Sequence, residues 1–333
     1  MICLLTKLLK PTPKFTNRGF TLIELLVAMI IATIIITPLL GFMVNTLNRD
    51  RLEQTKATSE AEIQAALDYI AQDLEQAIYI YNATGLINTS TSTPAGIKDQ
   101  IPPVAPATGC STTPTCTPVL VFWKRETEQN VLPVAGSTTL KDDTFVYSLI
   151  GYYIIKGDNG SGTWSDAARI GRFQIKDGVV DPNDPFNTTV TPPTPKYVKD
   201  PSQGFAGFNL KLPGSTLSDK MNLWKKGGLS YTDSVVTLID FVDKGSTAPA
   251  APAPTQSCPA NTQRVPPLPA STTTNPETGF YACVDSTNTY AQVFIRGNAL
   301  ARINDPNSYS SNNSVYFPSA SVQVKGRGFL GIN

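Results

Sequence analysis

The apolar run at residues 20–44 constrains this chain more than any other part of its sequence. Its only charged residue is Glu24. As a helix, 25 residues would extend roughly 37 Å, which is enough to cross the hydrocarbon core of a bilayer. A lone carboxylate in such a segment is energetically expensive. We therefore expect Glu24 to have a specific role.

The residues before this run indicate how it is oriented in a membrane. Residues 1–19 carry Lys7, Lys10, Lys14 and Arg18 and no acidic residue. This bias predicts a cytoplasmic N-terminus and an extracytoplasmic, periplasmic remainder. The run is longer than the apolar core of a secretory signal peptide and has no small-residue cleavage site after it, so a single-pass anchor is expected. Pro38 lacks a backbone donor and predicts a kink in the helix.

The helical pattern continues beyond the apolar run. Residues 47–81 contain neither proline nor glycine. Apolar residues recur there at helical spacing: Ile63, Leu67, Ile70, Leu74, Ile78 and Tyr81. The sequence predicts a helix to about Tyr81, ended by residues 82–85, with this stripe packed on the protein's own sheet.

The rest of the chain has the pattern of a β domain. Strand-like runs occupy residues 119–124, 145–155, 169–175, 205–212, 234–242, 290–296 and 314–324. Turn sequences at residues 157–160 and 176–178 favour antiparallel pairing. The predicted fold class is α+β, a long N-terminal helix packed on an antiparallel sheet with long loops. The expected segments are a leader at 1–19, a membrane helix at 20–44, its continuation at 45–83, and a β-rich domain at 84–333.

Five cysteines are present, and Cys3 lies in the basic leader. If the leader is removed, four cysteines remain, which suits two disulfides in an oxidising compartment. Three pairings are open, and short loops favour Cys110–Cys116 with Cys258–Cys283. A zinc site made of the four thiolates is the alternative, although the spacings are not those of zinc knuckles.

Composition excludes several classes of function. The chain has 27 basic and 26 acidic residues, a balance that gives no indication of nucleic-acid binding. It has no histidine, which excludes histidine-dependent catalysis and histidine metal sites. No carboxylate spacing selects a glycosidase pair. We expect a protein that is not an enzyme and needs no cofactor.

Three groups of residues suggest binding chemistry, each with a simpler structural alternative. Residues 158–162 and 181–184 cluster oxygen ligands suited to calcium, but turns use the same residue types. Lys225 and Lys226 could bind an anionic polymer, or they could be exposed to solvent in a turn. Aromatic residues could form a sugar-stacking face, or the core: Trp123, Trp164, Trp224, Tyr152, Tyr153 and Tyr197.

Gly19, Phe20, Thr21 and Glu24, after a short basic leader, resemble the N-terminal signature of the type IV pilin and type II secretion pseudopilin superfamily. The resemblance implies cleavage between Gly19 and Phe20 by a prepilin peptidase, and N-methylation of Phe20. It also implies that Glu24 aligns each subunit with its neighbours as pilin helices stack on an inner-membrane assembly platform. In a low-dielectric helix bundle, the new amine and a neighbour's carboxylate would relieve each other's desolvation.

Two narrower resemblances concern the rest of the chain. The large β domain resembles the larger minor pseudopilins, of the J or W type. Residues 36–40, 48–51 and 64–77 resemble cyanobacterial pseudopilins of hormogonium polysaccharide secretion, which implies export of a polysaccharide and gliding motility. The open alternatives are a pilus-tip adhesin or polysaccharide receptor, a pseudopilin of protein secretion or DNA uptake, and an enzyme anchored by a pilin-like helix.

Overall fold

The computed structural model describes residues 19–110, 115–134, 139–157, 162–245, 258–267, 279–303 and 309–327. The α-helices are α1 (Leu22–Glu75), α2 (Ala83–Ile87) and α3 (Leu217–Asn222). The strands are β1 (Ala77–Ile80), β2 (Thr115–Pro133), β3 (Lys141–Lys156), β4 (Ala168–Lys176), β5 (Val179–Val180), β6 (Phe186–Asn187), β7 (Thr194–Pro195), β8 (Tyr197–Lys199), β9 (Val236–Val242), β10 (Gln263–Val265), β11 (Phe280–Asp285), β12 (Tyr290–Arg296) and β13 (Ser319–Lys325). Two 3₁₀ turns, Leu300–Ile303 and Ser314–Tyr316, precede β13.

The chain divides into two compact units, residues 1–51 and residues 52–333. The second unit contains the β-rich region that follows α1. It includes the last part of α1, whose buried residues are Ser59, Ile63, Ala66, Leu67, Ile70, Asp73 and Leu74. The stripe predicted to pack on the protein's own sheet is thus confirmed up to Leu74.

The predicted helix end near Tyr81 is wrong. Helix α1 ends at Glu75, whose carbonyl accepts a hydrogen bond from the Arg327 backbone N–H at 2.9 Å. Residues 77–80 form strand β1, in which every residue is buried. A short run of isoleucine and tyrosine suits a strand buried on both faces, and periodicity alone does not separate it from a helix.

Residues 82–85 begin a helix and do not end one. Asn82 is the N-cap of α2, and its side chain accepts a hydrogen bond from the Gly85 backbone N–H at 3.1 Å. Asparagine is favoured at helix N-caps as well as in turns. The residues predicted to end the first helix therefore begin the second one.

Two principal antiparallel sheets form the β-rich part. The first has the order β1-β2-β3-β4-β9, and the second β10-β11-β12-β13. Short pairs β5–β8 and β6–β7 lie outside them. An isolated bridge between Val242 and Gly297 connects the end of β9 with the residue after β12. The α+β fold class, with a long N-terminal helix and antiparallel sheets, is confirmed.

The strand predicted at residues 205–212 is absent, since this described segment forms turns and irregular backbone. Phe205 and Phe208 nevertheless pack edge-on against Trp123, with ring centroids 5.9 and 5.3 Å away. These apolar side chains thus belong to a loop that covers the core. The 3₁₀ turn at Ser314–Tyr316 likewise replaces the start of the last predicted strand.

Both favoured disulfides are present. Cys110–Cys116 and Cys258–Cys283 have Cα–Cα distances of 5.6 and 5.5 Å, within the usual range. The first connects the loop before β2 to that strand, and the second connects the segment before β10 to β11. The zinc alternative is therefore wrong, since all four thiols are bonded to each other in pairs.

Candidate functional site

The N-terminus of helix α1 is held by a reciprocal hydrogen-bonded cap. The Thr21 backbone N–H and hydroxyl both donate to Glu24 Oε2 at 2.9 Å, and the Glu24 backbone N–H donates to the Thr21 hydroxyl at 3.4 Å. This is a capping box, in which the N-cap and third helical residues satisfy each other's backbone donors. Its sequence signal, threonine followed three residues later by glutamate, is not among the expectations above.

The cap leaves part of the Glu24 carboxylate available. Both bonds go to Oε2, and within the described residues Oε1 has no protein partner. The side chain is exposed. One oxygen therefore stabilises the helix start while the other remains able to accept a bond from another molecule.

Gly19 and Phe20 precede the cap in non-helical backbone. A Cβ added at Gly19 would meet no atom within 4 Å, and its φ lies outside the left-handed region. The fold therefore does not require glycine here. Phe20 is 85% exposed, so it serves no core either. Both residues are free to meet the requirements of a partner or a processing enzyme.

The first unit of the chain presents an apolar helix surface. Large apolar side chains are exposed from Leu22 to Leu47, on all sides of the helix. One window of 18 residues has a mean hydropathy of 2.6, and by length and composition α1 could cross a membrane. A helix that is apolar all round needs lipid or other helices to cover it.

Three threonine hydroxyls within this apolar segment are satisfied by the helix itself. The hydroxyls of Thr33, Thr37 and Thr46 donate to Ile30, Thr33 and Phe42 carbonyls at 2.8–3.0 Å. Such bonds suit a lipid environment, where each polar group must find a partner within the protein. The helix continues without interruption through Pro38, and the kink expected there stays a prediction.

A buried charge cluster, absent from the sequence-based expectations, attaches the end of α1 to the first sheet. Asp73 Oδ1 accepts a bond from Lys124 Nζ on β2 at 2.9 Å. Oδ2 accepts bonds from the Tyr152 hydroxyl on β3 at 2.6 Å and from Arg172 Nε on β4 at 2.7 Å. One carboxylate therefore connects the helix to three strands.

The pKa of Asp73 shows that these bonds outweigh burial. Burial alone would raise the pKa of this carboxyl, but the hydrogen bond and charge of Arg172, then the Tyr152 hydroxyl and the Lys124 charge, hold it below its ordinary value. Burial and the nearby Asp73 charge raise the pKa of Tyr152. At neutral pH the carboxylate is therefore ionised, and the Tyr152 hydroxyl is one of its donors.

The cluster continues along the sheet as alternating charges. Lys176 Nζ lies 3.0 Å from oxygens of both Glu126 and Glu128, and Lys124 lies 3.0 Å from Glu126. Burial would raise the pKa of Glu126, but the two lysines outweigh burial, and the pKa is lowered. Every charge in this row is therefore engaged in an ion pair, and Lys176 joins β4 to both glutamates of β2, which is a structural arrangement.

The structure separates the aromatic residues suggested for sugar stacking. Trp123, Trp224, Tyr152 and Tyr153 are buried in the core, so a stacking face made of them is wrong. Tyr197 is half-buried on the short strand β8. Trp164 is 39% exposed and is the member of the set with the most accessible ring.

Where the structure describes the residues suggested as calcium ligands, their side chains have other partners. Asp184 pairs with Lys196, and Asp181 Oδ1 accepts the Asn183 backbone N–H at 2.9 Å. Residues 158–161 of the other suggested calcium loop lie outside the described residues. In the described part of the chain, no group of three or more histidine, cysteine, aspartate or glutamate side chains is arranged to hold a metal ion.

The two lysines suggested for an anionic polymer differ in what they contact. Lys226 Nζ donates to the carbonyls of Gly227 and Leu229 at 2.9 and 2.7 Å, and Lys225 is exposed. Lys226 therefore closes a local turn. Lys225 alone gives no patch for an anionic partner.

Comparison with known proteins assigns the N-terminal segment. Residues 14–40 match the family model of the prokaryotic N-terminal methylation motif. No curated protein matches the chain, and no solved structure does. The matched motif supports a pilin or pseudopilin type of protein, and it implies processing by a prepilin peptidase and assembly with other pilins. With the apolar helix, it fits anchoring in a membrane.

Proposed function

We propose that the chain is a minor pseudopilin, a structural protein without enzymatic activity, that supports polysaccharide secretion and gliding motility. A prepilin peptidase cuts after Gly19, and the new N-terminus at Phe20 is methylated. The mature chain is held in the inner membrane with its β-rich domain in the periplasm. It then joins a filament of the type IV pilus or type II secretion kind.

One observation carries the proposal of a filament subunit: the methylation motif lies on a helix whose apolar surface is exposed on every side. The polysaccharide part rests on the resemblance of residues 36–40, 48–51 and 64–77. Lipid covers that surface before assembly, and neighbouring pilin helices cover it in a filament. Glu24 moves with the helix from one environment to the other. Its Oε1, which has no partner in the part of the chain that the structure describes, is then satisfied by the positive amine of a neighbouring subunit's Phe20.

Gly19 supports the processing step independently. Since neither its backbone conformation nor the space around it requires glycine, the folded chain gives no reason for this residue. A protease that must approach the backbone closely gives one, because glycine has no Cβ in the way.

The experiment that tests the function is deletion of the gene in its own organism, followed by separate assays of surface pili, released polysaccharide, gliding, protein secretion and DNA uptake. The proposal predicts strongly reduced polysaccharide with intact pili, restored by the intact gene. Loss of protein secretion or of DNA uptake, with normal polysaccharide, would assign the chain to one of those systems instead. Normal polysaccharide and gliding in the deletion strain would contradict the proposal.

A further inference from the structure

An exposed tryptophan stands at the junction of two adjoining depressions in the second unit of the chain. They have volumes of about 510 and 430 Å³ and share Trp164, Phe241 and Arg302 as lining residues. We call them together the Trp164 groove. Each volume lies in the range of about 300–1,000 Å³ that is typical of small-molecule sites.

Trp164 is the accessible tryptophan of this protein. It is 39% exposed, whereas Trp123 and Trp224 are 0% and 2% exposed. The Arg169 guanidinium lies 5.5 Å from its ring centroid. The next residue, Ser165, is fixed to β9, because its backbone N–H and hydroxyl donate to the Asp240 carboxylate at 2.9 and 2.8 Å. The ring is therefore presented from an anchored segment.

The opposite part of the groove is equally well supported. The Arg302 guanidinium lies 4.3 Å from the Phe241 ring centroid. It also donates to the Ser59 hydroxyl at 3.1 Å and pairs with Glu62, both on α1. Arg302 thus holds an aromatic ring and a helix face in place.

The charges that line the groove nearly balance. Glu62, Asp166 and Asp240 are acidic, and Lys244 and Arg302 are basic. Arg302 is already paired with Glu62. Such a lining has hydrogen-bonding groups but no excess charge to select a strongly charged polymer.

An added β-strand is a poor alternative occupant. The groove runs along β9, which is an edge strand of the first sheet. However, β9 pairs with β4 through two register shifts, and Phe241 has a left-handed φ of 59°. Irregular edges of this kind hinder the addition of a further strand.

We propose that the Trp164 groove binds a segment of a neutral hexose polymer. The apolar C–H face of a sugar ring packs on the indole, as apolar groups do on exposed aromatic rings. The exposed side chains of Asp166 and Lys244 offer hydrogen bonds to hydroxyls, and Lys244 Nζ also donates to the Asp166 carbonyl at 3.3 Å. The inference rests on the proposed function, since the polymer it assigns is the exported polysaccharide. It adds the place of contact on the protein and the uncharged nature of the polymer.

The test uses the full-length protein in a zwitterionic detergent, which carries no sugar. Titration calorimetry would measure binding of cellohexaose, maltohexaose, mannohexaose and, as a charged probe, hexagalacturonate. Acrylamide quenching of tryptophan fluorescence would be followed in parallel, because Trp164 is the tryptophan that the quencher reaches. The variants are Trp164→Ala and, as an exposed aromatic control on β3, Phe145→Ala.

We expect at least one neutral hexasaccharide to bind and to protect tryptophan from acrylamide. The affinity for that sugar should fall at least tenfold in the Trp164→Ala variant and stay unchanged in the Phe145→Ala variant. Flat titrations with all four probes would overturn the inference, and so would affinity that Trp164→Ala leaves unchanged. Binding of hexagalacturonate alone would overturn the neutral ligand class. This assay needs no filament, so its failure leaves filament assembly through Glu24 untouched.

Discussion

Glu24 Oε2 accepts two hydrogen bonds from Thr21, at 2.9 Å each, while Glu24 Oε1 has no partner among the described residues. In the proposed filament, this one carboxylate would serve two separable functions. Oε2 caps the helix of its own chain, and Oε1 is available to a neighbouring subunit. Substitutions can remove one function and keep the other, because glutamine also serves at this position of a capping box.

The first prediction concerns processing at Gly19. Gly19→Val should leave the fold unchanged, because a Cβ there meets no atom within 4 Å. It should block removal of the leader, because the branched side chain obstructs access to the backbone. Mass spectrometry of the purified protein would show the uncut N-terminus. Gly41→Ala, at another glycine with open space, is the control and should be cut normally.

The second prediction concerns the buried charge cluster. Asp73→Ala leaves Arg172 and Lys124 without the carboxylate that compensates them, and breaking such a buried pair costs about 3 kcal/mol. Urea unfolding of the detergent-solubilised protein would measure the loss. Glu75→Ala, which removes an exposed pair with Arg327, should change stability by less than about 0.5 kcal/mol. Equal effects of the two substitutions would show that Asp73 contributes little.

The third prediction concerns pH. The pKa values of Asp73 and Glu126 are lower in the folded state than their ordinary values of 3.8 and 4.5. At low pH the unfolded chain therefore binds more protons than the folded one. Their contribution to stability is complete above these ordinary values and is lost as the pH falls through the folded values. Unfolding curves between pH 7 and pH 3 should show the beginning of this loss, with a shallower slope for Asp73→Asn.

The fourth prediction compares the two disulfides. Cys258–Cys283 closes a loop of 25 residues and Cys110–Cys116 one of 6. On loop entropy alone, the longer one contributes about 3.5 kcal/mol and the shorter about 2 kcal/mol. Paired serine substitutions, compared by urea unfolding, should therefore cost more at Cys258 and Cys283. The reverse order would mean that contacts around Cys110 and Cys116 matter more than loop length.

The sequence predicted the features that depend on local pattern. The apolar helix, its buried stripe up to Leu74, the antiparallel strands and the disulfides all follow from spacing and composition. The end of helix α1 could not be predicted in this way, because the apolar run at residues 77–80 suits a helix as well as a buried strand. Only pairing with β2 makes them a strand.

The buried charges could not be predicted for a related reason. Asp73, Lys124 and Arg172 are separated by up to 99 residues, and each alone resembles an ordinary surface charge. Only the fold brings them together. The Trp164 groove is similar, since Trp164 and Arg302 meet through α1 and β9. The capping box at Thr21 differs, because its signal is local and readable in the sequence.

The most direct test of the central claim is incorporation into filaments of Glu24→Gln compared with Thr21→Ala. Filaments sheared from cells would be quantified by immunoblot, with leader cleavage and membrane insertion measured in the same strains. The glutamine keeps the cap and removes the charge, whereas Thr21→Ala weakens the cap by about 1 kcal/mol and keeps the charge. We predict that Glu24→Gln is cleaved and inserted but absent from filaments, while Thr21→Ala is incorporated. Normal incorporation of Glu24→Gln would contradict the account.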